Sequence, residues 1–209
     1  MAKKFSEEEK AVIRDRLIEQ ARHCFSTLGL KKTSVADLTG AAGIAQGSFY
    51  LFFESKEELY LEILQQEEKE IHQQLIERYL SAGSITRETF RLFLREAFDV
   101  MEKKPLLRQL HDEETMNILL RKWPKEKLEE LFESDAHSFG PVISRLQETG
   151  EMSQEYDPNV VISLIRSVML LALHKKQIGE AMFAPTIDLL AQLLANGLIR
   201  AGGDTDDRG

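Results

Sequence analysis

Apolar residues recur at i, i+3 and i+4 along nearly the whole chain, the period of a helix that buries one face. No stretch alternates convincingly between apolar and polar positions, so the pattern predicts an all-α fold. Ser6 and Glu9 make a capping box, and Val12, Ile13, Leu17, Ala21, Phe25 and Leu28 then mark one face of a first helix. Gly29 is placed to end it, because a residue without Cβ takes the left-handed C′ conformation at little cost. A short helix capped by Thr33 or Ser34 follows, with Val35, Leu38 and Ala42 inward, and Gly43 breaks the chain. Gln46 to Phe52 is too brief to be helical alone, so tertiary packing must hold it. Ser55 and Glu58 make a second capping box, from which a long helix carries Leu59, Ile63, Ile71, Leu75 and Tyr79 to about Leu80.

Ser81-Ala82-Gly83-Ser84 stops that helix and permits a change of direction. Beyond it the period predicts helices near 86–102, 106–121, 124–138, 141–149, 158–178 and 185–201. Pro105, Pro124, Pro141, Pro158 and Pro185 fall at or near five of those starts, where a missing N–H costs nothing. The expected organisation is an N-terminal three-helix domain over 1–56, a helical domain over 57–201, and a disordered polar tail over 202–209.

Charge refines this division. The chain of 209 residues carries net −8, yet residues 1–56 hold nine basic against seven acidic residues, leaving the rest at −10. A slightly positive end on an acidic body suits a protein that meets nucleic acid with one end only. The single cysteine, Cys24, rules out an internal disulfide framework and is expected to be a buried small hydrophobe. The charged N-terminus has no apolar run behind it, and Val168 to Leu173 is far short of a bilayer span of about 20 residues. A cytoplasmic protein with no membrane partner is expected.

The informative stretch runs from Thr33 to Leu59. Two short helices around a glycine turn are what a helix-turn-helix needs, with the second helix entering the major groove, which is about 12 Å wide. That second segment opens with Ala45, Gln46, Gly47 and Ser48, which bring backbone close and can hydrogen-bond, and then turns aromatic. Phe49 and Phe53, at i and i+4, should plug the small core, while Tyr50 points elsewhere and its hydroxyl can reach a phosphate.

Gly43-Ile44-Ala45-Gln46-Gly47-Ser48-Phe49-Tyr50-Leu51-Phe52-Phe53-Glu54-Ser55-Lys56-Glu57-Glu58-Leu59 resembles the signature of TetR-type (tetracycline-repressor-like) regulators. Phe25, Gly29, Thr33-Ser34-Val35 and Ala41-Ala42-Gly43 resemble the run that precedes it in that family. The resemblance covers about residues 10–70. It departs at Leu38-Thr39, at Phe52 where a His or Tyr is usual, and at Glu54, whose charge opposes nearby phosphates. It implies double-stranded operator DNA as partner and a DNA-contacting set of Thr33, Ser34, Val35, Gln46, Gly47, Ser48, Tyr50 and Lys56. Within that set Thr33 and Ser34 anchor the backbone at the bracing helix, and Gln46 and Ser48 read bases. Gly47 permits close approach, and Tyr50 and Lys56 bind phosphates.

The C-terminal body carries two strongly apolar helices. Leu164, Val168 and Leu171 on one, and Leu190, Leu194, Gly197 and Leu198 on the other, are the candidate interface of a homodimer, as the resemblance also implies. Arg166 interrupts the first of them and needs a carboxylate or a ligand anion. Phe90, Phe93, Met101, Met116, Trp123, Phe132 and Met169 are candidate lining for a small hydrophobic ligand, though such residues also make ordinary cores. His111, His137 and His174 lack the close spacing of a metal site, so neither a metal nor a cofactor is expected. The reading is a ligand-responsive repressor that binds a palindromic operator as a dimer. The alternatives are a DNA-binding regulator without a ligand, or a helical enzyme. No Gly-rich phosphate loop, nucleophile elbow or HExxH supports the enzyme.

Overall fold

The computed structural model describes residues 5–81, 83–122 and 125–200. It is about 83% helical, and among the described residues the sole β pairing is an isolated bridge between Met152 and Ile199. Its helices are α1 (Glu7–Lys32), α2 (Val35–Ala42), a 3-10 segment (Gln46–Leu51), α3 (Lys56–Leu75, continuing as a π-helical turn over Ile76–Leu80), α4 (Arg87–Lys103), α5 (Pro105–Arg108), α6 (Glu113–Lys122), α7 (Lys125–Glu148), α8 (Pro158–Leu170), α9 (Lys175–Ile178) and α10 (Glu180–Leu198). They form two compact units, Met1–Glu67 with Pro105–Trp123, and Glu68–Lys104 with Pro124–Gly209. Ala82, Trp123, Pro124 and the tail from 201 onward lie outside the described residues.

In the first unit, Leu17, Ala21 and Phe25 of α1, Leu38 of α2, Phe49 of the 3-10 segment, and Leu59, Tyr60 and Ile63 of α3 are all buried. Phe25 and Tyr60 pack edge to face with centroids 5.1 Å apart. Val12 and Leu28, expected on this face, are 57% and 48% exposed, and Cys24 is only half-buried. The Ser6/Glu9 capping box is present in both directions. At Ser55 only half of the expected box forms. Glu58 N–H donates to Ser55 Oγ, but the Glu58 carboxylate accepts from Glu54 N–H, one residue earlier.

Gly29 interrupts α1 without ending it. Its backbone swings to φ 82°, ψ 163°, and the helix resumes to Lys32. The break is held from α5 and the 3-10 turn after it, which belong to the same unit. Gln109 Nε2 donates to Phe25 O at 2.7 Å, and Leu30 N–H donates to Gln109 Oε1 at 3.2 Å. The buried Tyr60 hydroxyl donates to Leu106 O at 3.0 Å, and burial pushes that phenol up, so it remains a donor.

In the second unit α10 packs along α4, and α8 packs on α7 and α4. Phe90, Phe93, Phe139, Ile143, Leu146, Val161 and Ile165 are all buried. Phe93 stands 5.5 Å from Phe90 and edge-on to Phe139 at 5.9 Å. The prolines divide in behaviour. Pro105 and Pro158 open helices as expected, Pro158 beside the N-cap Asp157, whose carboxylate accepts from Asn159 N–H. Pro141 and Pro185 lie inside α7 and α10, so the helices expected over 124–138 and 141–149 are one. Each such ring removes one helical N–H, a loss that burial of the surrounding apolar face outweighs. α10 is long and apolar enough to cross a membrane by length and composition. It instead buries Phe183, Ile187, Ala191, Ala195 and Leu198 against its own unit.

Because Phe93 is a packed core ring, Phe93→Ala should cost about 3–5 kcal/mol in chemical denaturation. A loss below about 1 kcal/mol would show that the ring faces open space.

Candidate nucleic-acid interface

α2 starts at Ser34, whose hydroxyl accepts from Asp37 N–H, while the Asp37 carboxylate accepts from Ser34 N–H at 2.8 Å and from the hydroxyl at 2.6 Å. These bonds hold the Asp37 carboxyl below the usual range. α2 ends at Gly43, which takes the left-handed conformation at φ 73°. Gly43 N–H donates to Gly40 O and Ile44 N–H to Thr39 O, closing the last turn and redirecting the chain. After a single extended residue, Ala45, the chain coils into the 3-10 segment, pinned from behind by Phe49 and Phe53. Their rings stand 5.8 Å apart. With that side inward, Gln46, Gly47, Tyr50 and Leu51 face outward and Ser48 is half-buried. Tyr50 lies edge-on against Phe49 at 5.5 Å and is 61% exposed, so its backing is rigid and its hydroxyl end wet.

Of the eight candidate contacts, Gln46, Gly47, Ser48 and Tyr50 come together on this one turn, and Ser34 and Val35 sit at the start of α2. Two are placed otherwise. Thr33 is fully buried, and its hydroxyl donates to Gly29 O at 2.8 Å, so its side chain braces the end of α1 and does not face outward. Lys56 spends its three ammonium protons on Leu30 O at 2.8 Å, Thr33 O at 2.6 Å and Lys31 O at 3.4 Å. It caps the carbonyl end of α1, where a cation also meets the negative end of the helix dipole, and is not a free phosphate ligand. Leu51, 63% exposed on the recognition turn, is a residue that sequence reasoning passed over. Its only signal is its place within the segment.

Lys56→Met should therefore lower stability by about 1.5–3 kcal/mol, the range for hydrogen bonds to a charged group, as read by urea unfolding. An unchanged midpoint would return Lys56 to the role of a phosphate contact.

The interface candidates of the second unit divide by helical phase. Val168 and Leu198 are buried within the chain, and Leu171 packs against the cluster of Phe98, Phe183 and Ile187, so these three are core. Leu164, Leu190 and Leu194 are half-buried and Gly197 is exposed. Outward apolar residues on these helices include Val160 (58%), Leu189 (57%) and Leu193 (58%). Val160, Leu164, Leu193, Leu194 and Gly197 border a groove of about 300 Å³ between α8 and α10, lined mainly by apolar surface. Among the pocket candidates, Phe90 and Phe93 are core, Met169 is half-buried in the second unit, and Met116 belongs to the first unit. Trp123 and the side chains of Met101 and Phe132 lie outside the described residues. Arg166 has its carboxylate within the chain, pairing through Nε with Asp135.

Residues 17–63 match the family model "Bacterial regulatory proteins, tetR family". The transcriptional repressor KstR2 of Mycolicibacterium smegmatis is 45% identical over 51 residues, which are 24% of this chain and 25% of that protein. The chain thus spans only a quarter of that relative. A "Probable acrEF/envCD operon repressor" of Escherichia coli K12 is 27% identical over 176 residues, 79% of this chain and 76% of its own. Two solved structures share the fold. A TetR-family regulator from Pectobacterium atrosepticum has TM-score 0.71 and 24% identity, covering 94% of this chain and 99% of its own. RolR in complex with resorcinol has TM-score 0.62 and 16% identity over 94% and 99%. Residues 17–63 thus carry a helix-turn-helix domain of the tetR type of bacterial regulatory proteins, followed by a helical remainder whose fold those solved structures share.

Proposed function

We propose that this protein is a ligand-responsive transcriptional repressor that binds a palindromic operator as a homodimer and is released by a small hydrophobic molecule. The observation that carries the DNA-binding half is the turn Gln46–Leu51, clamped through Phe49 and Phe53 so that Gln46, Gly47, Tyr50 and Leu51 are presented together. A Gln amide can pair bidentately with adenine, a Leu side chain can meet a thymine methyl, and a Tyr hydroxyl can bond a phosphate. The resorcinol bound by RolR supports a small-molecule effector here. Such a regulator acts in the cytoplasm, where its DNA is.

Gel retardation with the DNA flanking its own gene, against random duplex of equal length, tests the reading directly. Gln46→Ala should lose about 1–3 kcal/mol on the specific site and little on random DNA. Equal losses on both would make Gln46 a backbone contact, and no discrimination by the parent protein would end the repressor reading.

The dimer is assigned to the outward stripe of Val160, Leu189 and Leu193 beside the apolar groove, a surface that a second copy would cover. Leu193→Asp should give monomers in sedimentation and weaken operator binding. A dimer that survives this change would place the interface elsewhere.

A further inference from the structure

Within the second unit, three ligating side chains converge away from the DNA-binding turn. Glu68 and His72 lie one helical turn apart on α3, and Asp135 reaches them from α7. One ligand atom from each falls within 4.8 Å of the other two. His72 is 3% exposed and Asp135 6%. The His72 ring also lies 4.7 Å from that of Phe139, so one wall of the cluster is aromatic.

An internal salt bridge explains only part of this group. Arg166 engages Asp135 through Oδ2, which leaves Oδ1 facing His72 Nε2 at 3.4 Å, longer than an ordinary hydrogen bond of about 2.7–3.2 Å. His72 Nδ1 is buried with no hydrogen-bond partner. Among the described residues the half-buried Glu68 forms no hydrogen bond or ion pair. Two carboxylates and one imidazole thus converge, His72 and Asp135 buried and Glu68 half-buried, with the Arg166 guanidinium paired to Asp135. Buried polar atoms are normally satisfied, so the unpaired His72 Nδ1 points to a missing partner.

We propose that Glu68, His72 and Asp135 form a binding site for a first-row divalent cation such as Zn²⁺. The donor set of one imidazole nitrogen and two carboxylate oxygens suits such an ion, and the i, i+4 pair on one helix supplies two ligands from a rigid base. Zinc ligands stand about 2.0–2.2 Å from the ion, hence roughly 3.4 Å from one another in a tetrahedron. Donors up to 4.8 Å apart then need to close by at most about 1.4 Å. Arg166 then orients Asp135 from behind, the part that outer hydrogen bonds play at metal sites. The remaining coordination position is open to water or to an oxygen of an organic ligand. The inference does not depend on the repressor reading, since it concerns binding of the ion alone.

The test is calorimetric titration of the full-length, chelator-treated protein with ZnCl₂. One ion per chain is expected, with Glu68→Gln and His72→Gln each weakening binding at least tenfold while the helical circular dichroism of the metal-free protein is kept. Zinc-edge X-ray absorption on the parent protein gives a second readout independent of the variants, and a shell of nitrogen and oxygen without sulfur is expected. No saturable binding at one ion per chain, parent-like affinity in both variants, or a sulfur ligand (which would implicate Cys24) would each overturn the proposal.

Discussion

The first unit depends on how the backbone break at Gly29 is satisfied. A helix that swings to φ 82° at one residue cannot close its own hydrogen bonds across that point, and buried backbone groups left without partners are costly. Three side chains from separate parts of the chain answer this one defect. Gln109 bridges Phe25 O and Leu30 N–H, Thr33 reaches back to Gly29 O, and Lys56 gathers Leu30 O, Lys31 O and Thr33 O. Thr33 directly precedes the N-cap of α2 and Lys56 is the first residue of α3, so the end of α1 is the common anchor of both flanking helices. A local weakness in one helix thereby fixes where the recognition turn between them begins and ends.

That anchoring explains the division of labour on the turn. Six residues of 3-10 helix have no stability of their own, and they hold only because Phe49 and Phe53 are buried while Gly43 closes α2. Once the two rings are fixed, the outward set is fixed by exclusion. The polar, small and half-wet residues Gln46, Gly47 and Tyr50 remain on the surface because the core beneath them is already filled. A rigid platform of this kind suits groove recognition, where the base-reading atoms must be in place before contact.

Much of this was legible in the residues. The spacing of Phe49 and Phe53, the glycine at 43 and the box at Ser6 are local signals, and local signals are what a sequence carries most openly. Thr33 and Lys56 were misread because their partners are carbonyls exposed by a kink that no residue pattern announces. Gln109, some eighty positions from Gly29, gave no sign of its part for the same reason. Helical phase explains the other errors. The apolar residues of α8 and α10 occupy more than one face, so composition does not separate the inward face from the outward one. Only packing could tell Val168 and Leu198, which turn inward, from Val160 and Leu193, which turn out. Pro141 and Pro185 show the converse, a strong local signal overruled by the apolar face in which each is embedded. His72 was passed over because its partner Asp135 is remote in sequence, although Glu68 stands four residues before it and shares its helix face.

The two units treat polar groups differently, and the contrast is physical. At the break in α1 every donor and acceptor named above finds a counterpart, so burial there makes the structure rigid. Around Asp135 the balance is incomplete. The Arg166–Asp135 pair is satisfied, but among the described residues one nitrogen of His72, whose ring lies beside Phe139, has no counterpart, and the half-buried Glu68 stands next to it. Apolar residues of similar volume at 68 and 72 would pack there at less cost, because desolvating a charge or leaving a polar atom unpaired typically outweighs what a neighbouring ion pair returns. Stability alone therefore gives no reason for this arrangement. A polar cluster that weakens the empty protein is accounted for by what it gains when occupied, and a cation is the counterpart that its donors lack.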